Sequence, residues 1–517
     1  MQYLFNLFFF LSLLSSNYAA SADEWRKRSI YQIITDRYAL PKGSDLTKCN
    51  PADQSFCGGT WSTIKDNLDY IQNAGFTAIW ISPVSQNYEG ARTPYGDPYH
   101  GYWIADATKL NSRFGTADDL KALSDEVHRR GMFLMVDVVV NNVMGLKTDL
   151  SDLSTYMFKD QSQYHSYCPI QWGNTTSEQN CWLGDLNVTL PDVKTQDPGV
   201  VHVNMDFWPQ FCGAAGVYCI GEVFDDDPGQ ALQWQGSQAL DAILNYPMYN
   251  ALVSAFTIPG PQNISALTDM ITQIKAKSSD PTLLGNFLED QDVPRWASLS
   301  VDQQTMWNAM TFSFMSDGIP IVYYGQEQGF NGNADPYNRE PLWPSGYANT
   351  ASYEVIAKLN QFRNFMISSS SSWITTQVQV LSATTQSIMF TKGPVITVLT
   401  NVGSPPANVT IWSYTGMKPS TPTTDILSCS QFAIGSGGTL EVSYVKGGKP
   451  AVIVPDALLA GSGICGHTLT TTTSTGSAQG VSSSNGAQLQ RLGSVAMSAV
   501  YSAILSAVLL RIWTWAL

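Results

Sequence analysis

Three apolar, β-rich runs of the sequence end in carboxyl and amide side chains. The run at 133–140 contains Asp137 and leads into two amides, and the run at 217–223 contains Glu222. The run at 283–288 leads into a cluster of polar side chains, Glu289, Asp290, Gln291 and Asp292. A lone acidic residue at a strand end often caps a helix, but three such ends favour one shared site. Cleavage of a glycosidic bond with retention needs two carboxyl groups about 5–5.5 Å apart, and the pattern fits that chemistry.

Short apolar runs alternate with helical patterns over the first two thirds of the chain. The runs predicted as strands are 29–35, 77–83, 133–140, 217–223, 283–288 and 319–324. Strand–helix alternation indicates a parallel sheet with crossover helices, and its repetition indicates a (β/α)8 TIM barrel. The chemistry of such barrels lies at the carboxyl ends of the strands, which is where the acidic residues fall.

Two further regions interrupt or follow the barrel pattern. Residues 141–192 are polar and contain two cysteines, which predicts an inserted domain between two barrel portions, 23–140 and 193–374. Residues 375–467 lose helical periodicity and contain runs typical of strands, at 378–381, 388–391, 395–400 and 451–454. We therefore expect the α/β barrel with its inserted domain to be followed by a C-terminal antiparallel β-sandwich.

The charge balance limits the classes of partner. Lys and Arg total 28 against 42 Asp and Glu, which gives a formal net charge of −14. Nucleic acid is excluded as a partner because phosphate binding needs clustered basic residues. A neutral ligand fits this balance better, and we expect a monomer.

Both ends of the chain have the composition of targeting segments. Residues 1–22 combine a short apolar run with the sequence Ala20-Ser21-Ala22, which predicts a cleaved signal peptide. Residues 468–487 are rich in Ser, Thr and Gly and are predicted as a stalk, and residues 488–517 form an apolar tail. This order predicts a GPI anchor on a secreted, cell-surface protein; a C-terminal membrane helix is the alternative.

The chain contains eight cysteines, which secretion makes candidates for disulfides. Sequence proximity predicts Cys49–Cys57 and Cys168–Cys181, and Cys429–Cys465 would close the last domain. Cys212 and Cys219 remain, and Cys219 is predicted as a buried thiol because it lies in an apolar strand. Four sequons predict glycosylation sites, at Asn174, Asn187, Asn263 and Asn408.

Several ordered motifs carry a resemblance to a known family. They are residues 79–84, the stretch from Tyr95 to Trp103, Asp137–Asn141, Gly221-Glu222-Val223, Glu289–Asp292 and Gly325–Gln328. On these motifs residues 24–466 resemble the fungal α-amylases of glycoside hydrolase family 13. The resemblance implies an enzyme acting on α-1,4-glucans by a retaining mechanism, either an endo-acting α-amylase or a 4-α-glucanotransferase.

The resemblance also implies roles for individual residues. Glu222 would be the general acid/base, and Asp292 would be the second carboxylate, which stabilises the transition state and holds the sugar. Tyr95 would stack on the sugar at the cleavage site. The remaining residues implied to bind substrate are His100, Trp103, Asn142, Gln291, Asp335 and Arg339.

The family usually binds one structural Ca²⁺ between the barrel and the inserted domain. The resemblance implies ligands from the side chains of Asn141 and Asp192 and from the backbone oxygens of Gln179 and His202. Oxygen ligands of this kind suit a hard cation. For Asn141 and Asp192, capping of a loop is the alternative role.

Two departures at the site indicate transfer in preference to hydrolysis. The family carries histidines beside the cleaved sugar where this chain has Asn142 and Gln291. Both replacements keep a hydrogen-bond donor but lose the imidazole and its charge. The pair resembles the GPI-anchored fungal α-glucanotransferases, and the predicted anchor agrees with that subgroup. Transfer to another glucan in cell-wall α-glucan metabolism is therefore the hypothesis.

A third departure removes the segment expected to carry the nucleophile. Compared with relatives, roughly 25 residues are missing between Asp192 and His202, about the size of a helix and a strand. They would supply barrel strand 4, the nucleophilic Asp and its Arg partner. Neither Asp197 nor Asp206 ends a predicted strand, so neither is expected to substitute. Loss of an inner strand would leave two unpaired edges and an open core.

The missing segment leaves several interpretations open. A coding segment absent from the sequence is favoured over a real deletion, because the loss follows no element boundary that the fold would tolerate. An enzyme is the first functional hypothesis. A catalytically inactive glucan-binding surface protein is the second, and a purely structural wall protein is the third.

Overall fold

The computed structural model describes residues 19–171, 177, 180–194, 205, 207–404, 409–444 and 447–468. Within these ranges the N-terminal region contains nine strands: β1 Ile30–Ile33, β2 Ala78–Ile81, β3 Ser85–Asn87, β4 Ile104–Leu110, β5 Phe133–Val136, β6 Ile220–Gly221, β7 Ala242–Ile243, β8 Gly285–Asn286 and β9 Ile319–Tyr323. β3 and β4 form an antiparallel hairpin, and the other strands pair in parallel. The parallel strands build the predicted TIM barrel, although β6, β7 and β8 are short.

The order of the parallel strands follows a ring. β5, β2, β1, β9 and β8 are neighbours in one sheet, and β6 pairs with β7 in another. A single parallel bridge between Leu244 and Gly285 joins the two sheets next to β7 and β8. Ile30 lies on β1, the middle strand of the five-stranded sheet, and pairs with Ala78 on one side and Ile321 on the other. All three side chains are buried. This register directs the carboxyl ends of the strands to one mouth.

The ring has one open side. In the ranges that the structure describes, no strand pairs with the outer edge of β5 or of β6. All residues of β1 and β2 are buried, whereas Val136 in β5 is 38% exposed. A cavity of about 2200 Å³ follows the opening from Glu222 at the carboxyl end to Trp25, which packs on Phe133 at the other end. The opening lies where the sequence predicts a missing strand.

Helices pack around the parallel strands. They are Ala22–Trp25, Thr35–Tyr38, Trp61–Asp66, Leu68–Asn73, Ala117–Arg129, Phe207–Ala215, Pro228–Leu232, Tyr246–Phe256, Ile264–Lys277, Trp296–Leu299, Gln303–Met315 and Ala351–Ser369. Helix Ala117–Arg129 illustrates how the local sequence forms a helix. The Thr116 side chain accepts a hydrogen bond from the Asp119 backbone and caps the start of the helix. Leu120, Leu123 and Val127 follow at helical spacing and are buried against the sheet.

The polar excursion after β5 has a small core of its own. Trp182 is fully buried, and it packs with Val143, Leu150 and Tyr164. The disulfide Cys168–Cys181 lies beside this cluster, because the backbone of Trp182 donates to the carbonyl of Cys168. The excursion is thus a packed unit at the carboxyl end of β5.

The C-terminal region is all antiparallel. Its strands are β10 Gln379–Ala383, β11 Ser387–Lys392, β12 Val395–Thr400, β13 Val409–Tyr414, β14 Pro422–Asp425, β15 Gln431–Ala433, β16 Thr439–Tyr444 and β17 Ala451–Pro455. Six of them form one sheet in the order β10, β11, β12, β17, β14, β15, while β13 and β16 form a second. Apolar side chains from both sheets share one core, which confirms the predicted antiparallel β domain. Helix Asp456–Leu459 follows β17.

All eight cysteines are paired, which corrects one prediction. Cys49–Cys57, Cys168–Cys181 and Cys429–Cys465 form as predicted. Cys212 and Cys219 also form a disulfide, so the prediction of a buried thiol at Cys219 was wrong. The reason is geometric: helix Phe207–Ala215 turns back at Gly216 and brings the two Cα atoms to 6.1 Å.

Several predicted segments lie outside the described residues. They are the signal peptide up to residue 18, the sequons at Asn174 and Asn408, and the stalk and tail from residue 469 onward. No helix within the described ranges is long and apolar enough to cross a membrane.

The exposed apolar edge of β5 predicts self-association. Unpaired strand edges pair readily with other chains, and a charge on the edge prevents this. We expect Val136→Lys to lower the weight-average mass of the protein in analytical ultracentrifugation at high concentration. Val380→Lys is the matched control, because Val380 is 39% exposed on edge strand β10, where an irregularity in the register already protects the edge. Equal effects of both substitutions would contradict the prediction.

Candidate active site

The carboxyl ends of three strands supply acidic side chains to the cavity. Asp137 follows β5 directly, Glu222 follows β6 directly, and Asp292 lies on the loop that follows β8. All three line the cavity of about 2200 Å³. The structure therefore brings together the acidic residues that the sequence analysis selected.

Glu222 has the surroundings of a general acid. Its Oε1 accepts a hydrogen bond from the hydroxyl of Tyr246 at 2.8 Å. The pKa of Glu222 is raised to about 8, chiefly by loss of solvation and then by the nearby charges of Asp292 and Asp290, while the Tyr246 hydrogen bond opposes the rise. The side chain is accessible to water through the wide cavity, which weakens the loss of solvation but leaves the direction unchanged. A carboxyl that keeps its proton near neutral pH can protonate a leaving oxygen.

Asp292 is held from two sides. Its Oδ1 lies 3.2 Å from Arg339 Nη2, and its Oδ2 accepts a hydrogen bond from Gln291 Nε2 at 3.1 Å. Gln291 is itself fixed by Gln32, whose Nε2 donates to Gln291 Oε1 at 2.6 Å. Arg339 also pairs with Asp335 at 3.0 Å. Predicted substrate-binding residues Gln291, Asp335 and Arg339 thus form one charged cluster with Asp292.

The loop that carries Asp292 is anchored by buried groups that the sequence analysis missed. Glu289 accepts from Arg295 Nη1 at 3.1 Å and from the Trp296 backbone at 2.9 Å. Asn338 donates to the carbonyls of Gln291 and Val293, both at 2.9 Å. Arg295 and Asn338 are fully buried. An Arg three residues after the acidic cluster was the available signal, but its partner is set only by tertiary packing.

Asp137 is bound by two donors at one oxygen. Its Oδ2 accepts hydrogen bonds from the Tyr102 hydroxyl at 2.8 Å and from Trp80 Nε1 at 3.2 Å. Burial raises the pKa of Asp137 to about 6, and the two hydrogen bonds oppose the rise. Trp80 and Tyr102 lie inside the motifs that carried the family resemblance, yet their partner was not predicted.

The aromatic residues predicted to contact substrate differ in their exposure to solvent. Tyr95 is 42% exposed at the cavity surface, and its hydroxyl contacts Asp185 of the excursion. His100 and Trp103 are buried, with ring centroids 4.9 Å apart. The Tyr102 backbone donates to His100 Nδ1 at 3.0 Å, so His100 carries its proton on Nε2. Burial holds the pKa of His100 well below its usual range, so the ring is neutral.

Two of the predicted calcium ligands, Asn141 and Asp192, lie on backbone segments that pair. The backbone of Val193 donates to the carbonyl of Asn141 at 2.8 Å, and Asn142 forms a β-bridge with Asp192. The Asp192 carboxylate contacts His165 Nδ1. Predicted ligands Gln179 and His202 lie outside the described residues. An amide and a carboxylate oxygen suit Ca²⁺, although the described ranges contain no group of three His, Cys, Asp or Glu able to hold a metal.

Asn142 has an unsatisfied polar atom. Its side chain is 6% exposed, and its Nδ2 donates to Asn141 Oδ1 at 3.1 Å. Its Oδ1 is buried without a hydrogen-bond partner among the described residues. Asn142 lines the cavity, but this oxygen is buried behind the cavity surface.

The described residues supply an acid but no evident nucleophile. No described strand lies between β5 and β6 to carry one. The acidic residues of the segment in question, Asp197 and Asp206, lie outside the described residues. A retaining reaction needs a nucleophile as well as an acid, and none is identified among the described residues.

Fold and site together define a class. A parallel barrel whose strand ends present a protonated glutamate and an arginine-bound aspartate, beside an exposed tyrosine, has the construction of glycoside-cleaving barrel enzymes. The family described as "Alpha amylase, catalytic domain" matches residues 32–187 and 185–372, and "Alpha-amylase, domain C" matches residues 380–473. The chain belongs to the alpha-amylase family, whose members are glycoside hydrolases acting on α-glucans.

Individual relatives are similar over most of their length. The alpha-amylase of Saccharomycopsis fibuligera is 40% identical over 464 residues, which cover 84% of this chain and 92% of the relative. Alpha-amylase 1 of Lipomyces kononenkoae is 45% identical over 479 residues, covering 86% and 76%. A solved alpha-amylase structure from Malbranchea cinnamomea is 39% identical with a TM-score of 0.82, covering 86% of this chain and 100% of that chain.

The raised pKa of Asp137 predicts a pH-dependent stability. The folded state holds this proton between pH 3.8 and about 6 while the unfolded state releases it, so the free energy of unfolding falls as pH rises through that window. Asp137→Asn cannot ionise, and its one oxygen can still accept both donors. We expect the variant to gain about 1–3 kcal/mol relative to the native protein between pH 4 and pH 7 in urea unfolding.

Asp269→Asn on the exposed face of helix Ile264–Lys277 is the control, and it should show no such gain. A constant difference between Asp137→Asn and the native protein across this pH range would contradict the prediction.

Proposed function

We propose that the cavity binds α-1,4-glucans and that Glu222 protonates the leaving oxygen of the glycosidic bond. Asp292 and Arg339 hold the sugar on the opposite side, and Tyr95 provides a stacking surface at the entrance. The observation that carries the proposal is the placement of Glu222 at the end of β6, where it accepts a hydrogen bond from the Tyr246 hydroxyl at 2.8 Å and lines the same cavity as Asp292. The raised pKa of Glu222 supports its role as the acid. Relatives named as alpha-amylases support the class of substrate.

The second part of the proposal is that this sequence contains no residue that acts as the catalytic nucleophile. The open side between β5 and β6, where no described strand lies, supports it. The family match also breaks at residues 185–187, shortly before the segment in question. A retaining reaction without a nucleophile stops before the covalent intermediate, so this chain binds α-glucan but hydrolyses it very slowly. A glucan-binding surface protein is the role that remains.

Glucan transfer is the reaction we assign to a form of this protein that has the missing segment. Gln291 and Asn142 replace ionisable imidazoles with buried neutral amides at the cavity wall. A rotation of the Asn142 side chain would bring its unpartnered Oδ1 to the cavity, where it would accept a hydrogen bond from an acceptor-sugar hydroxyl. These contacts support transfer to a second glucan in cell-wall α-glucan metabolism, at a cell surface reached by secretion and a GPI anchor.

Calcium is proposed as a structural cofactor. Asn141 and Asp192 would hold it with their side-chain oxygens, where the excursion joins the carboxyl end of β5. The ion would fix the position of the excursion and so of Asp185, which contacts Tyr95. It supplies charge and rigidity and takes no part in the proton transfer.

A small external nucleophile tests the proposal. With azide present, a nitrogen of azide bonds to the anomeric carbon, the glycosidic C–O bond breaks, and the Glu222 proton passes to the departing oxygen. Maltoheptaose incubated with azide should therefore yield glycosyl azides at least about 10-fold faster than it yields hydrolysis products, measured by mass spectrometry.

Two variants control this experiment. Glu222→Gln should abolish glycosyl azide formation, because the amide has no acidic proton to donate. Glu441→Gln on exposed strand β16 should leave it unchanged. The proposal fails if azide produces no adduct, or if Glu222→Gln forms adduct as fast as the native protein.

A further inference from the structure

The hydroxyl of Tyr246 lies between two carboxyl groups. Its oxygen is 2.8 Å from Glu222 Oε1 and 2.9 Å from Asp290 Oδ2. Tyr246 is the first residue of helix Tyr246–Phe256 and is 2% exposed, and its ring packs on Phe287 at 5.0 Å. The packing fixes the hydroxyl in its place between the carboxyls.

The two contacts require a second proton. A tyrosine hydroxyl has one proton to donate, and its oxygen can accept. If Glu222 and Asp290 were both ionised, one of them would face the Tyr246 oxygen at hydrogen-bond distance with no proton between the two oxygens. The arrangement is satisfied when one carboxyl is protonated and donates to Tyr246, which donates to the other.

The oxygens of Asp290 are not equivalent. Its Oδ1 accepts hydrogen bonds from the backbones of Asp292 at 2.7 Å and Val293 at 2.9 Å. Its Oδ2 faces Tyr246. A proton on Asp290 therefore lies on Oδ2 and points to the tyrosine oxygen.

We propose that Asp290 is a pH-sensitive positioning residue, which acts through Tyr246 to decide where the proton of Glu222 points. When Asp290 is protonated, it donates to Tyr246 and Tyr246 donates to Glu222 Oε1. The proton of Glu222 is then on Oε2 and available to a substrate oxygen. When Asp290 is ionised, Tyr246 donates to it, and Glu222 directs its proton from Oε1 to Tyr246. The inference rests on the proposed role of Glu222 as the acid.

The order of ionisation supports this device. Loss of solvation and the charge of Asp292 raise the pKa of both Glu222 and Asp290. Asp290 is the first of the two to ionise, because the backbone hydrogen bonds to its Oδ1 from Asp292 and Val293 stabilise its charged form. The other titratable groups that face the pair are Asp292, Asp137, Tyr102 and Tyr249. The adjacent Glu289 is paired with Arg295 and does not compete for Tyr246.

Asp290→Asn is the informative variant. Only its oxygen can accept the two backbone N–H groups, so its amide nitrogen must face Tyr246 and donate permanently. The variant therefore imitates protonated Asp290 at every pH. In the azide reaction of maltoheptaose, we expect adduct formation by the native protein to fall above about pH 6. In Asp290→Asn the alkaline limb should move up by about one pH unit.

Tyr246→Phe tests the route. In that background Asp290→Asn should no longer move the alkaline limb, because the link between the carboxyls is lost. Tyr249→Phe, one turn along the same helix, should keep the native profile. The proposal would be overturned if Asp290→Asn left the alkaline limb of the pH profile in place. It would also be overturned if Asp290→Asn moved that limb equally in the Tyr246→Phe background.

Infrared difference spectroscopy separates this inference from the proposed function, since it needs no turnover. We expect the protonated-carboxyl band removed by Glu222→Gln to shift between pH 5 and pH 7 in the native protein and to stay constant in Asp290→Asn. Such a shift supports the inference even if azide yields no adduct, which would count against the proposed function alone. A Glu222 band that is constant in the native protein overturns the inference.

Discussion

Backbone pairing between the parallel strands is the constraint on which the site depends. The ladder from β5 through β2, β1 and β9 to β8 places Asp137 and Asp292 at one mouth of the barrel. Glu222 belongs to the shorter pair of β6 and β7, which joins the main sheet through the single bridge Leu244–Gly285. Its position relative to Asp292 therefore rests on few backbone hydrogen bonds and on side-chain contacts such as the one through Tyr246. A closed barrel would hold both groups by an unbroken ring.

The open side has opposite consequences for binding and for chemistry. It leaves a cavity of about 2200 Å³, with Tyr95 and Arg339 on its wall, that is wide enough for an oligosaccharide. Among the described residues, no strand lies between β5 and β6 whose end could carry a nucleophile. The buried pair Glu289–Arg295 and the donors of Asn338 keep the Asp292 loop in place despite the opening. Under the proposed function, such a site binds sugar and donates a proton without completing the retaining reaction.

The features predicted correctly from the sequence are those that a local sequence pattern determines. Strand–helix alternation predicted the barrel, and polar residues after apolar runs located Glu222 and Asp292. Short cysteine spacings in polar loops predicted two disulfides. Strand β7 was missed because Ala242–Ile243 is too short for a periodic signal, and Cys212–Cys219 was missed because a helix reversal pairs them. Tyr246 and its contact with Asp290 were missed because residues 44 positions apart meet only through tertiary packing.

Calorimetric titration with maltoheptaose, followed by analysis of the same sample for products, tests the central claim most directly. The account predicts saturable binding to the native protein with no release of shorter glucans over the time of the titration. Rapid release of shorter glucans without an added nucleophile would contradict it, because a complete retaining site would then exist in this chain. Absence of binding would contradict it as well, because the open barrel would then not hold the sugar-binding groups in place.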